Sequence, residues 1–136
     1  MKKKIFLLLM IFFIAYGCSE VYSPTIIKNP VYSSFDIAIK WKFYNNKLFL
    51  SGYNNFWTEI FDFEITLTPV DKNMKSVGKS YKKYIGSLDM DEKFNLTCQF
   101  TCQNIYYIKL DYYYTFYGYN SSGTRLNYYT YYLKVK

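Results

Sequence analysis

The chain has 136 residues, a formal net charge of +7 and 51% hydrophobic residues, which leaves room for one domain with a real core and excludes a disordered acidic segment. Histidine is absent, and with it the commonest general base, the usual partner of a nucleophilic Ser or Cys, and the commonest metal ligand. Aromatic residues make up 24%, with 18 Tyr and 12 Phe, and these favour half-buried pleated surfaces, so the composition points to an all-β fold.

Met1-Lys2-Lys3-Lys4 forms a positively charged start, followed by an uninterrupted apolar run over residues 5–16. A membrane-spanning helix needs about 20 such residues, so this shorter run reads as the core of a signal peptide over residues 1–17. Ala15-Tyr16-Gly17-Cys18 then resembles the lipobox of bacterial lipoproteins, in which a small residue precedes the lipidated cysteine. The resemblance implies cleavage after Gly17, thioether lipidation of Cys18 and acylation of the new amine by a fatty acid such as palmitate. Two or more acyl chains anchor a protein stably. Leu is commonest where Ala15 stands, and the same residues also fit the small-x-small site of an ordinary secretory signal. Loss of Lys2, Lys3 and Lys4 with the leader leaves 14 basic residues against 10 acidic, a net +4. No basic stripe marks a nucleic-acid surface, and no nucleic-acid partner is expected. Residues 19–30, with Pro24 and Pro30 and no apolar periodicity, read as a tether behind the lipidated Cys18. The expected location is the bacterial cell envelope. By analogy with enteric bacteria the outer membrane is favoured, because Ser19 stands where Asp would argue for inner-membrane retention.

From Phe35 the sequence alternates. Phe35, Ile37, Ile39, Trp41 and Phe43 fall on one face, with Asp36, Lys40 and Lys42 on the other, the period of a half-buried strand. Asn45-Asn46 follows, and Asn tolerates the positive φ of a two-residue turn. Folding back there sets Phe43 opposite Leu48 and Trp41 opposite Leu50, with Gly52 read as a bulge in the returning strand. Next, Phe61, Phe63, Ile65 and Leu67 alternate with Asp62, Glu64 and Thr66; Pro69 is expected to stop the strand and residues 71–75 to turn the chain. Residues 77–85 form a weaker strand whose Lys79, Lys82 and Lys83 suit an exposed edge. After a polar turn over residues 88–93, Phe94, Leu96, Cys98, Phe100 and Cys102 alternate inward. In the last hairpin, a loop at Asn120-Ser121-Ser122-Gly123 sets Phe116 opposite Asn127, Tyr114 opposite Tyr129 and Tyr112 opposite Tyr131. The same register sets Leu110 opposite Leu133 and Ile108 opposite Val135. Six or seven short strands at this spacing predict an antiparallel two-sheet β-sandwich over residues 31–136.

Ser51-Gly52-Tyr53-Asn54-Asn55, the strand over residues 61–67, the turn over 71–75 and the spacing of Leu88, Glu92 and Phe94 resemble the FxLYD-type immunoglobulin-like domains of bacterial envelope proteins. The resemblance covers roughly residues 48–100, and departs from the pattern at Met74 and at Met90-Asp91-Glu92. It implies an immunoglobulin-like, non-enzymatic accessory or interaction module and transfers no functional residues.

Few residues offer chemistry. On a regular strand Cys98 and Cys102 lie about 13 Å apart, whereas a disulfide needs Cα atoms within about 7 Å. A bond between them therefore requires a bend at residues 99–101; otherwise they are two small core residues. Asp89, Asp91 and Glu92 are oxygen ligands suited to Ca²⁺, but they lack the EF-hand spacing and its glycine, so they read as a solvated turn. Asp62 and Glu64 read as the wet side of a sheet. No cofactor or metal is implied and no catalysis is expected; the remaining enzymatic route is a hydrolase using carboxylates alone.

The tyrosines carry the strongest functional signal. Eleven of the 18 lie in residues 106–136. A hairpin that buries Tyr112, Tyr114, Tyr129 and Tyr131 turns Tyr107, Tyr113, Tyr117, Tyr128 and Tyr132 outward, framed by Lys109 and Lys134. Tyr gives a large contact area with few rotors to freeze and a polar tip, so this face is the candidate binding surface. The expected partners are the membrane, reached through the lipid, and a protein or glycan on the Tyr face. An accessory subunit or inhibitor of one envelope protein is the alternative, and β-propensity with biased composition would explain the same tyrosines with no partner.

Overall fold

Asn45 and Asn46 turn the chain as the sequence predicts, with φ of 50° and 56°. The register that follows sets Phe43 opposite Leu48 and Trp41 opposite Leu50. The structure, a computed structural model, describes residues 23–33, 36–118 and 123–136; Cys18, Phe35 and most of the predicted Asn120–Gly123 loop lie outside them. Among the described residues the strands are β1 (Ile26–Ile27), β2 (Val31–Ser33), β3 (Ile37–Tyr44), β4 (Lys47–Asn54), β5 (Ile60–Val70), β6 (Tyr81–Leu88), β7 (Lys93–Gln99), β8 (Tyr107–Tyr117) and β9 (Thr124–Lys134). They form two sheets, β1-β9-β8-β5-β6 (sheet A) and β2-β3-β4-β7 (sheet B). Among the seven long strands, the third, sixth and seventh lie side by side in sheet A with the fourth beside the third. The first, second and fifth make sheet B. This is the strand order of an immunoglobulin-like sandwich.

The core lies between the sheets. Leu48 and Leu50 from sheet B meet Phe63, Ile65, Leu67, Ile108, Leu110 and Leu133 from sheet A, all buried. β6 is an edge of sheet A, with Lys82 and Lys83 exposed on it as predicted, but it runs over Tyr81–Leu88 in place of 77–85 and leaves Lys79 ahead of the strand. The Asp71 turn also forms as predicted: Asp71 Oδ1 accepts from the amides of Asn73 and Lys75, and Met74 takes a positive φ of 63°.

Several expectations are corrected. Gly52 is not a bulge, because its strand keeps an unbroken register with both neighbours. A Cβ there would stand 2.2 Å from the Ala38 carbonyl oxygen and 2.8 Å from the Phe94 ring, so close approach is what requires glycine. In β5 the bulge falls at Asp62, whose φ is 50°, and it turns Phe61 out of the core and puts Ile60 in. Pro69 does not end β5. Its carbonyl accepts from Val77 on a side where β6 has not yet begun pairing, so its missing N–H breaks no ladder bond. The last hairpin is shifted by two residues: Ile108 faces Leu133, Leu110 faces Tyr131, Tyr112 faces Tyr129 and Tyr114 faces Asn127. A shift of two preserves which side chains point inward, so the burial pattern survives while every cross-strand partner changes.

Residues 25–30, read as tether, pack onto the sandwich. β1 runs parallel to β9, the Tyr132 amide donates to the Thr25 carbonyl at 2.8 Å, and the Trp41 amide donates to Pro30 at 2.7 Å. Asp36, expected outside, is 3% exposed. Its Oδ1 accepts from the Ile37 amide (2.8 Å) and the Tyr112 hydroxyl (3.2 Å), and its Oδ2 from the Tyr114 hydroxyl (2.7 Å). Asn127 Nδ2 donates in turn to the Tyr114 oxygen at 2.9 Å. A carboxylate at the start of β3 thus ties sheet B to the central strand of sheet A.

Candidate functional site

Pairing decides which tyrosines share a surface. Outward positions of β8 sit beside outward positions of β9 on one side and β5 on the other, so Tyr128, Tyr113, Glu64 and Tyr84 form one row across sheet A. A second row carries Thr130, Asp111, Thr66 and Lys82. Tyr117 and Tyr128 are 61% and 60% exposed, and Tyr84 and Leu126 are similarly open. The Phe61 ring, turned outward by the bulge, packs edge-on against Tyr117 with centroids 5.3 Å apart. Phe61, Tyr84, Tyr113, Tyr117, Leu126 and Tyr128 therefore make one aromatic surface at the end of sheet A nearest the β8–β9 loop.

Carboxylates are threaded through it. The Tyr84 hydroxyl donates to Asp62 Oδ1 (2.8 Å), and the Tyr128 hydroxyl to Asp111 Oδ1 (3.0 Å), which also accepts from Thr130 Oγ1 (2.6 Å). Lys82 pairs with Glu64 at 3.3 Å and Lys109 with Asp111 at 3.7 Å. The hydrogen bond to Asp62 raises the Tyr84 pKa above its ordinary value. Partial desolvation followed by the Glu64 charge does the same for Tyr113. These phenols stay protonated at neutral pH, so the surface presents rings whose hydroxyl directions are fixed by acceptors already in place. Depressions lie over sheet B, beside Cys102 and at the Asp71 turn. Open rings with polar tips suit broad contact.

The predicted site residues divide. Tyr113, Tyr117 and Tyr128 are brought together. Tyr132 is not available: it is 9% exposed, because β1 runs beside it and Tyr107 packs edge-on against its ring. Tyr107 is also half-buried against Tyr106, and Lys134 lies over the Tyr106 ring, so this end of the face is packed upon itself. Lys109 stands on the face, held by Asp111. Sequence reasoning missed Phe61, Tyr84, Leu126 and Asp111: Phe61 alternates with the core residues of its strand and is turned out only by the Asp62 bulge, while the other three needed the β8–β9, β5–β8 and β5–β6 pairings to become a surface.

Cys98 and Cys102 are free thiols, the first buried and the second half-buried beside Gly78. Burial pushes the Cys98 thiol up to about 11, which keeps it protonated and unreactive at neutral pH. Asp89, Asp91 and Glu92 form an exposed turn in which Glu92 caps the Asp89 amide at 2.7 Å. Among the described residues no three His, Cys, Asp or Glu side chains are grouped to hold a metal ion. Compared with protein-family models, curated proteins and solved structures, the chain matches none.

Proposed function

We propose that the chain is an exported lipoprotein of the bacterial cell envelope, anchored through Cys18, whose β-sandwich is a non-catalytic binding module acting through the aromatic outer face of sheet A. The observation that carries this reading is the exposed surface around Tyr117 and Tyr128, on which the Tyr84 and Tyr128 hydroxyls are held by Asp62 and Asp111. Monomeric proteins rarely keep a large aromatic patch in contact with water without a use, and Tyr is the residue whose rigid, amphipathic ring suits recognition of a protein or glycan. Its breadth favours a macromolecular partner over a small substrate. An accessory subunit or inhibitor of one envelope protein is a special case of the same reading.

Two experiments test it. Cys18→Ser is expected to move the protein from the membrane to the soluble fraction, since no helix among the described residues is long and apolar enough to cross a membrane; a mature wild-type chain with no added acyl mass would end the anchor reading. Tyr117→Ser combined with Tyr128→Ser is expected to abolish co-purification of the partner while leaving the melting temperature within about 5 °C, because exposed substitutions cost under about 1 kcal/mol. Retained co-purification, or unfolding of the double variant, would contradict the assignment of this face.

A further inference from the structure

The outer face of sheet B has a different chemistry from that of sheet A. Its outward positions on β3, β4 and β7 include Lys40, Lys42, Lys47 and Lys93 and not one Asp or Glu. Register sets Lys40 beside Ser51 and Asn95, and Lys42 beside Phe49 and Thr97. None of these lysines has a carboxylate partner among the described residues, whereas Lys82 and Lys109 on sheet A both do. Small side chains at Ala38 and Ser51 leave a hollow between Lys40 and Lys93, and a second hollow lies between Lys42 and Phe49. Tyr44, Phe49 and Tyr53 stand exposed on the same face. Unpaired ammonium groups rimming shallow hollows match phosphate, and exposed amphipathic rings suit the level of lipid headgroups.

We infer that the outer face of sheet B docks the domain on the phosphate headgroups of an anionic lipid bilayer, so that the Tyr117–Tyr128 surface, on the opposite side of the sandwich, points away from the membrane toward its partner. The docking rests on the lysine face alone, and the orientation rests also on the binding reading above. Where Cys18 carries lipid, the five residues from there to Ser23 span at most about 18 Å, which holds the domain close enough for its face to reach the surface. Each lysine near such a surface contributes about fivefold to partitioning, and high salt removes the contribution.

The test is lysine acetylation of the full chain, read residue by residue by mass spectrometry, on vesicles of phosphatidylcholine alone and with phosphatidylglycerol added. Lys40, Lys42 and Lys93 are expected to react at least fivefold more slowly on the anionic vesicles, with the difference lost in about 1 M salt, while Lys72 and Lys75 in the Asp71 turn are unchanged. Equal rates on both vesicles, or protection of Lys82 and Lys109 instead, would overturn the docking whatever the acyl mass of the chain. Protection of the sheet B lysines together with partner binding that survives Tyr117→Ser and Tyr128→Ser would leave the docking standing and end the binding reading.

Discussion

Asp36→Ala is expected to destabilise the domain by about 2–5 kcal/mol, the cost of deleting a buried carboxylate together with the hydrogen bonds it accepts. The carboxylate is almost fully buried and accepts from the Ile37 amide and from the Tyr112 and Tyr114 hydroxyls of β8. Bonds to a charged group contribute roughly 1.5–3 kcal/mol each, and Asp36→Ala removes those from Tyr112 and Tyr114 at once. Asn127 donates to the Tyr114 oxygen and cannot take its proton. Burial, the largest cause, together with the nearby Asp36 carboxylate holds the Tyr114 phenol well above its ordinary pKa, so it remains a donor throughout the usual pH range. The stabilisation from its neutral form is complete below the unfolded phenol value near 10 and falls away as pH rises beyond it. Urea unfolding measures the effect: a lower midpoint at unchanged slope is expected for Asp36→Ala. Tyr114→Phe should cost less, and a double-mutant cycle between the two should give about 1–3 kcal/mol of coupling. A loss below about 1 kcal/mol for Asp36→Ala would mean that the carboxylate does not tie the sheets.

Leu110→Ala is expected to cost about 2–5 kcal/mol, the range for truncating a fully buried leucine that leaves a cavity. Leu110 lies at the centre of β8, between Leu67 of β5 and Tyr131 of β9, with no exposed surface of consequence. Neither neighbour can collapse into the space without breaking its own strand pairing. Against a typical total stability of about 5–15 kcal/mol, such a loss is visible in any equilibrium unfolding experiment. A cost below about 0.5 kcal/mol would place Leu110 outside the core.

The strands and their inward faces were legible because period-two alternation is a local property, and the Asn45-Asn46 turn fixed one register by allowing a single short connection. The β8–β9 register was not. Its connection between Tyr117 and Thr124 is longer than the four residues predicted, and alternating tyrosines pair acceptably in either of two registers related by two residues. Asp36 was misplaced because alternation was extended one residue beyond β3, and alternation fails there anyway: Ile37, Ala38 and Ile39 are all buried in succession. Non-local features lay out of reach. Nothing in residues 19–30 declares that Ile26 and Ile27 will lie beside β9 and cover Tyr132. The aromatic surface was therefore half legible: parity supplied Tyr113, Tyr117 and Tyr128, while Phe61 needed the Asp62 bulge and Tyr84 needed its pairing with Glu64.

The most direct measurement of the functional reading is photocrosslinking in the native membrane. A photoreactive residue placed at Tyr128 in the full chain is expected to trap a discrete protein or glycan product, while the same residue at Tyr44, equally exposed on sheet B, traps none. Products from Tyr44 and none from Tyr128 would contradict the assignment of the binding face.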